Sequence, residues 1–304
     1  MNEAKYREAE RKVWQTVGLS PSEERIRLAC TGTQIRVQLV GAGDPVVFLH
    51  GAPNAGTTWA PMLEHFRGYR CILVDRPGTG LSEDYAIRGN VLEVADRFVS
   101  DLLDGLGFDR VHVVASSFGG FLALRSAAAR PERFGRMVQM ACPAMAPGMR
   151  TPTFMRMARF RFVRWLVPRL PPAERATREV MRQIGHGASI DDGRIPRLFS
   201  DWYLELQRHT HTLKNDLAMI GDALSASGFD PALTLTRPVL RAVTAPTHFL
   251  WGADDGFGGA EVAHQVVSAM PHASFELIPR AGHLPWLDDP RLIAGKTAAF
   301  LAGN

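Results

Sequence analysis

The stretch that decides the fold is residues 113–120, Val-Val-Ala-Ser-Ser-Phe-Gly-Gly, where an apolar run passes through small residues into a helix-forming segment. A G-x-S-x-G turn holds its serine on a strained bend, and small residues two before and two after it let the strand and the helix pass closely. The frame 115–119, with alanine at the first small position, makes Ser117 the candidate nucleophile. Centring the frame on Ser116 would put valine and phenylalanine at the small positions, so that alternative is rejected.

Short apolar runs like the one before this turn recur along the chain, separated by segments of helical length. Continuous apolar runs are typical of parallel strands that are covered on both faces. The predicted strands are 24–30, 34–40, 45–50, 70–75, 111–116, 137–142, 247–251 and 274–278, and the clearest predicted helices are 3–17, 91–106 and 118–129. This alternation predicts an α/β fold with a mostly parallel central sheet flanked by helices.

The alternation stops between about residues 144 and 246, where no strand-like run occurs and prolines cluster at 168, 171 and 172. The sequence therefore predicts a core of residues 1–144 and 241–304, with a helical cap of residues 145–240 inserted in it. It has no internal repeat and no low-complexity tract.

Composition narrows the class of protein. The 304 residues are 46% hydrophobic with a formal charge of +4, and no basic block with interleaved aromatic residues indicates a nucleic-acid partner. The N-terminus lacks the apolar segment of a secretory signal, and no run of 18 or more apolar residues follows. We expect a soluble, cytoplasmic protein without stable membrane insertion. Cys30, Cys71 and Cys142 are widely spaced and predict buried free thiols rather than a disulfide framework or a zinc site.

Three further polar motifs follow predicted strands. A His-Gly-Ala-Pro turn begins at His50, paired aspartates follow at Asp254 and Asp255, and a glycine-histidine loop carries His283. Open α/β sheets place their functional groups at the carboxyl ends of their strands. Each motif alone is common in loops, but Ser117, Asp255 and His283 occur in the order serine, acid, histidine.

This order, together with the segment Asp-Arg-Pro-Gly-Thr-Gly-Leu-Ser at 75–82, resembles the α/β-hydrolase fold family and its lidded serine hydrolases. The resemblance covers about residues 25–145 and 240–301 and is weakest in the cap. It implies a covalent acyl-enzyme on Ser117, with His283 as general base and Asp255 orienting it, since relatives place the acid three residues after the glycine that closes the strand. His50 is then expected only to brace its loop.

The same resemblance implies an oxyanion hole formed by the backbone N–H groups of Ala52 and Phe118. It implies no metal and no organic cofactor, and a small-molecule carboxylic ester or thioester as the substrate. A homodimer is left open.

Serine at the turn argues against the haloalkane dehalogenases and epoxide hydrolases of this family, which use aspartate there. Esterases, thioesterases, lactonases, carbon–carbon bond hydrolases, perhydrolases and proline iminopeptidases remain. A lyase with the same triad and a small-ligand receptor with slow turnover are further alternatives. The carbon–carbon bond hydrolases commonly carry asparagine before the serine, where this chain has Ser116, which makes them a second choice.

The arginine-rich segment 154–167 is the most distinctive part of the predicted cap. On a single helix, Phe154, Met155, Ala158, Phe162, Trp165 and Leu166 fall within a wedge of about 120°. We predict that Met155, Phe162 and Trp165, together with Trp286, contact an apolar substrate. The alternative is a helix that lies on a membrane surface.

Overall fold

The computed structural model describes residues 1–226 and 228–303. Eight strands in these residues form one sheet in the order β1-β2-β4-β3-β5-β6-β7-β8. The strands are β1 (Ser22–Arg27), β2 (Gln34–Val40), β3 (Asp44–Leu49), β4 (Tyr69–Val74), β5 (Val111–Ser116), β6 (Phe134–Met140), β7 (Thr247–Gly252) and β8 (Ala273–Ile278). Strand β2 runs antiparallel to both of its neighbours and all other pairs are parallel, which confirms the predicted α/β sheet.

Helices cover both faces of this sheet and fill the interval between β6 and β7. They are α1 (Glu3–Thr16), α2 (Val91–Leu106), α3 (Ser117–Ala129), α4 (Thr153–Arg156), α5 (Arg161–Leu166), α6 (Glu174–Met181), α7 (Gly187–Asp191), α8 (Arg197–His209), α9 (Thr212–Asp222), α10 (Arg237–Ala242), α11 (Ala260–Val267), α12 (Pro285–Asp288) and α13 (Pro290–Ala302). Shorter 3₁₀ segments are Gly56–His65, Pro131–Arg133, Met157–Arg159, Val167–Arg169 and Pro231–Leu233, and Arg182–His186 forms a wide π-type turn.

The central strands are apolar over most of their length because both of their faces are buried. In β3, Val47 and Leu49 belong to a core cluster on the side of α2 and α3, whereas Val46 and Phe48 belong to a second cluster on the opposite side. Successive strand residues point to opposite faces, so a strand between two helical layers needs apolar side chains on both faces rather than on one. The result is a rigid sheet whose carboxyl edge carries the polar motifs.

The segment between β6 and β7 lies over that edge as a helical cap. The described cap is held to the core by a buried ion pair between Asp216 on α9 and Arg76 after β4, with 2.8 Å between Oδ2 and Nη2. Helix α1 packs against α8 of the cap as well as against the core. The predicted cap boundaries stay a prediction, since α10 spans the second boundary and packs against α3.

The prediction of a single helix over 154–167 is wrong. The chain there divides into α4, a 3₁₀ turn, α5 and a second 3₁₀ turn. Phe160 has extended backbone angles (φ −81°, ψ 120°), and its N–H bonds to the carbonyl of Met157, which closes a 3₁₀ turn and ends the helical pattern. The wedge drawn on one continuous helix therefore does not exist.

Candidate active site

The turn between β5 and α3 places Ser117 at the carboxyl edge of the sheet. Ser117 has a φ of 52°, a conformation that few non-glycine residues adopt. A Cβ on Gly119 would lie 2.2 Å from the carbonyl oxygen of Leu49, so only glycine lets the helix pass this closely to β3. The small-residue pattern of 115–119 thus has a direct steric cause.

The loop after β3 lies against Ser117. A Cβ on Gly51 would come within 2.7 Å of the Ser117 Cβ, so the backbone of this loop touches the serine directly. Ala52 and Phe118 line the same cavity as Ser117. Phe118 is the second residue of α3, and the first four N–H groups of a helix have no partner within it.

Two buried side chains fix the shape of that loop. Arg76 donates from Nε to the carbonyl of His50 at 3.1 Å and from Nη2 to the carbonyl of Gly51 at 3.0 Å. The Nε2 atom of His50 accepts the backbone N–H of Arg76 at 3.4 Å, so its Nδ1 carries the proton and donates to the Gly51 carbonyl at 2.7 Å. Burial, helped by the charge of Arg76, holds the pKa of His50 well below its ordinary value. The prediction that His50 braces its loop is confirmed.

Asp255 is buried after β7 and accepts hydrogen bonds from three directions. The backbone N–H groups of Cys142 and Phe257 each donate to its carboxylate at 2.9 Å. His283 Nδ1 lies 3.1 Å from Oδ1 and 3.0 Å from Oδ2. Asp254 is exposed, so the geometry pairs His283 with Asp255.

The other ring nitrogen of His283, Nε2, is buried and has no hydrogen-bond partner within the described part of the chain. The Phe257 ring packs on the His283 ring, with 4.3 Å between centroids, and lines the same cavity as Ser117. A histidine with one nitrogen held by a carboxylate and the other left free has the arrangement of a general base.

The cap holds the backbone on both sides of His283. The N–H of His283 donates to the carbonyl of Ile184 at 2.9 Å, and the N–H of Leu284 donates to His186 Nε2 at 3.0 Å. Asp288 accepts the N–H of Gly282 at 2.9 Å and lies 3.0 Å from His186 Nδ1. The backbone N–H groups of residues 282, 283 and 284 are therefore bound in turn by Asp288, Ile184 and His186.

The same cap segment contacts the loop that carries Asp255. A Cβ on Gly185 would lie 2.1 Å from the Asp254 carbonyl oxygen, and one on Gly256 would lie 2.2 Å from the Gln183 carbonyl oxygen. A Cβ on Gly282 would lie 2.6 Å from the carbonyl carbon of Gly185. Residues 183–186 are thus wedged between the acid loop and the histidine loop, where glycine backbones leave just enough space.

A cavity of about 220 Å³ opens above Ser117. Its walls are mostly apolar and contain no lysine, arginine or histidine among the described residues. They are formed by Ala52, Ile87, Gly89, Val91, Phe118, Ala144, Met145, Met149, Met155, Met219, Ile220, Asp222, Ala223, Phe229, Asp230, Leu233 and Phe257. The Asp222 carboxylate is ion-paired with Arg164. A larger cavity of about 730 Å³, whose lining includes Arg150 and Arg156, shares some of these walls.

Three of the four predicted substrate contacts lie elsewhere. Of the four, Met155 lines the cavity, but Phe162 and Trp165 are 66% and 54% exposed because the helix break at Phe160 turns them outward. Trp286 is fully buried beneath the site, where it packs on Trp59 and donates from Nε1 to the carbonyl of Thr58 at 3.0 Å. None of these three residues lines the cavity above Ser117, so their contact with substrate stays a prediction that this cavity does not support.

The described chain contains no group of three or more histidine, cysteine, aspartate or glutamate side chains arranged to hold a metal ion. Within those residues, too, no helix has the length and apolar character needed to cross a membrane.

A family model described as the alpha/beta hydrolase family matches residues 46–296. The chain belongs to the alpha/beta hydrolase family. Among sequence relatives, a 2-hydroxy-6-oxononadienedioate/2-hydroxy-6-oxononatrienedioate hydrolase from Cupriavidus pinatubonensis is 29% identical over 88% of each chain. A 2-hydroxy-6-oxo-6-phenylhexa-2,4-dienoate hydrolase from Burkholderia cepacia is 28% identical over 89% of this chain and 92% of the relative.

Solved structures of alpha/beta hydrolases superimpose closely on the chain. Naproxen esterase from Bacillus subtilis has a TM-score of 0.74 at 18% identity, covering 98% of this chain and 97% of that one. A 2-hydroxy-6-oxo-6-phenylhexa-2,4-dienoate hydrolase from a Rhodococcus strain has a TM-score of 0.76 at 16% identity, covering 94% of this chain and all of that one. At these identities the likeness concerns the fold alone.

Sequence reasoning missed the residues that support the site of this alpha/beta hydrolase. Arg76 lies in the segment 75–82 that carried the resemblance, and an arginine directly after a buried strand was a usable signal. His186 and Asp288 lie 102 residues apart and come together only in the fold. Neither carries a local sequence pattern.

Proposed function

We propose that the protein is a serine hydrolase that cleaves carboxylic esters of a small, apolar acyl group. The observation that carries this proposal is the cavity above Ser117, whose described walls are mostly apolar, include two carboxylates (Asp222 and Asp230) and lack any cationic side chain. A neutral acyl chain is stabilised there because its apolar surface leaves water, whereas a carboxylate would be buried without a compensating charge.

In the proposed mechanism, Ser117 Oγ attacks the ester carbonyl while His283 Nε2 takes its proton. Asp255 holds the imidazole by Nδ1 and stabilises the imidazolium as it forms. The backbone N–H groups of Ala52 and Phe118 stabilise the oxyanion of the tetrahedral intermediate, and loss of one such donor typically lowers the rate about 100-fold or more. His283 then protonates the leaving alcohol, and water attacks the acyl-enzyme by the same route in reverse.

A second candidate is cleavage of a carbon–carbon bond, with the same three residues and an enol or enolate as the leaving group. The relatives favour it, since both of those described are named as hydrolases of 2-hydroxy-6-oxo-dienoates and match nearly the whole chain. These substrates are carboxylates, and no cation lies among the described walls of the cavity above Ser117, whereas Arg150 and Arg156 line the neighbouring cavity. The ester proposal is therefore preferred.

The test compares p-nitrophenyl esters of increasing acyl length with 2-hydroxy-6-oxo-6-phenylhexa-2,4-dienoate. We expect kcat/KM on the esters to rise roughly fourfold per methylene, since each buried methylene contributes about 0.8 kcal/mol, until the cavity is full. Ser117→Ala should abolish turnover and labelling by a fluorophosphonate. A dienoate kcat/KM far above that of every ester would replace the ester proposal by the second candidate.

Met155 lets the same test be made on the cavity wall, with two exposed residues as matched controls. Met155→Ala enlarges the cavity and should move the preferred acyl chain to a longer one. Phe162→Ala and Trp165→Ala remove exposed side chains and should leave the chain-length profile unchanged. A shifted profile in the latter two variants would mean that the cavity is wrongly assigned as the acyl site.

A further inference from the structure

The outer side of the cap carries most of the exposed apolar side chains of the described protein. Of the nine large hydrophobic side chains that are exposed, six lie between 157 and 170. They are Met157, Phe160, Phe162, Trp165, Val167 and Leu170. We call residues 156–170 the arginine-aromatic surface. Exposed apolar side chains concentrated in this way mark an interaction site in a folded protein.

The inner side of this segment is anchored, so its outward face is fixed by the fold. Ala158 is buried, and its carbonyl oxygen lies where a Cβ on Gly221 would come within 2.3 Å of it. Arg164 forms an ion pair with Asp222 and donates from Nη1 to the carbonyl of Ala218 at 3.3 Å. Packing against α9 therefore holds the aromatic side chains outward.

The charge of the arginine-aromatic surface is of one sign. The segment contains five arginines and no aspartate or glutamate. Arg156, Arg159, Arg161 and Arg169 are exposed, and none of them forms an ion pair with an acidic side chain of the described residues. These four cations lie among the exposed aromatic rings, with the Arg159 guanidinium 4.6 Å from the Phe160 ring centroid.

We propose that the arginine-aromatic surface docks the protein on an anionic lipid bilayer. Phenylalanine, tryptophan and leucine side chains enter the boundary between head groups and acyl chains, while arginines bind lipid phosphates. A second copy of the chain is a poorer partner, because a two-fold contact would place the same unpaired arginines against one another. An anionic surface neutralises them all.

Docking in this orientation has a geometric consequence for the cavities. Arg156 belongs to the arginine-aromatic surface and also lines the cavity of about 730 Å³, while Met155 beside it lines the cavity above Ser117. The bilayer would therefore lie next to residues that line both cavities. Docking itself does not depend on the proposed ester chemistry.

The experiment measures binding of the full chain to sedimented vesicles. Vesicles of phosphatidylcholine with about 30% phosphatidylglycerol are compared with pure phosphatidylcholine, at low and at high salt. The protein carries Ser117→Ala, so that hydrolysis of lipid cannot alter the vesicles and a failure of the proposed function leaves the result readable.

We expect binding to the anionic vesicles at low salt, and its loss at high salt. Each arginine near an anionic surface changes the partition coefficient about fivefold, so Arg159→Gln with Arg161→Gln should lower it about 30-fold. Phe162→Ser with Trp165→Ser should lower it at least about tenfold by removing inserted apolar area. The matched control, Arg291→Gln with Leu292→Ser on exposed positions of α13, should bind like the parent.

Two outcomes would overturn the proposal. The first is equal binding of parent and arginine variant, or equal binding to both kinds of vesicle. The second is no vesicle binding together with a dimer, seen in analytical ultracentrifugation, that the Phe162 and Trp165 changes dissociate, since a second copy would then cover this surface. Unaltered ester turnover in the aromatic variant, made with Ser117 intact, checks that the variant is folded.

Discussion

Asp255 and Asp254 are adjacent in the sequence but lie in different environments. Asp255 accepts two backbone N–H groups and the proton of His283 Nδ1, whereas Asp254 is exposed. We expect Asp255→Asn to lower kcat about 10⁴-fold with a smaller change in KM, because the amide would favour the wrong tautomer of His283. Asp254→Asn is the matched control and should stay within about twofold. A crippled Asp254 variant beside an active Asp255 variant would reverse the assignment.

His186 is the residue whose effect on His283 is easiest to isolate. Its Nε2 accepts the N–H of Leu284, and its loss should let the loop shift. A displacement of about 1 Å costs roughly 100-fold in rate, so His186→Ala should lower kcat between about 10- and 100-fold with KM little changed.

Ser189 supplies the control for that experiment. Ser189 donates to Asp288 within the same buried cluster, whereas the N–H groups of Gly282 and Leu284 are bound by Asp288 and His186. Ser189→Ala should therefore cost stability without the fall in kcat. If both variants lose kcat in proportion to their loss of thermal stability, His186 has only a structural role.

At the scale of elements, the cap is joined to the core by the Arg76–Asp216 pair, whose side chains are 0% and 3% exposed. Burial raises the pKa of Asp216 despite the charge of Arg76, which shows how much desolvation the pair has to overcome. Asp216→Asn would leave the guanidinium buried without its counter-charge. We expect a loss of about 3 kcal/mol in the free energy of unfolding, measured by urea denaturation.

A more exposed ion pair, Arg125 with Asp96, serves as the comparison. It joins α2 and α3 with two hydrogen bonds of 2.7 Å each. The Asp96 side chain is 36% exposed, so solvent screens this pair. Asp96→Asn should cost less than about 1 kcal/mol. Equal losses of unfolding free energy in the Asp96 and Asp216 variants would show that burial does not strengthen the contribution of the Arg76–Asp216 pair.

For the molecule as a whole, one buried and three half-buried histidines make stability depend on acid. Burial, followed by the charge of Arg76, holds the pKa of His50 well below 6.5, and burial also lowers the pKa of His112, His211 and His248. Below about pH 6.5 the unfolded chain binds protons at these histidines that the folded chain excludes. Stability should therefore fall as pH falls from about 6.5 toward the folded-state pKa values.

His50→Gln isolates the contribution of one histidine. In urea denaturation between about pH 7 and about pH 5, its pH slope should be lower than that of the parent by up to about 1.4 kcal/mol per pH unit. Buried Asp75 and Asp216 have raised pKa values and act with the opposite sign above 3.8, but they are common to both proteins. An unchanged slope would mean that the folded protein binds a proton at His50 as readily as the unfolded chain does.

The sequence alone was sufficient for the sheet, the turn at Ser117 and the order of the three polar motifs. Each of these depends on local residue pattern, and strand β5 was predicted with its observed bounds. The single helix predicted over 154–167 is wrong because a local 3₁₀ turn that ends at Phe160 breaks it, and hydrophobic periodicity does not register such a turn. Contacts such as His186 with Asp288 join distant parts of the chain, so no window of sequence contains them.

Residues 183–186 lie between the loop that carries Asp255 and the loop that carries His283. This contact has a consequence for engineering. A cap inserted in this way could be exchanged between enzymes as one segment, because both of its ends join the core near the same edge of the sheet. Here a foreign cap would have to reproduce the carbonyl of Ile184, the ring of His186 and the bare backbone of Gly185 in register with residues 282–288. A productive chimera should therefore inherit that C-terminal loop from the donor of the cap, so that the two segments are recombined as one unit.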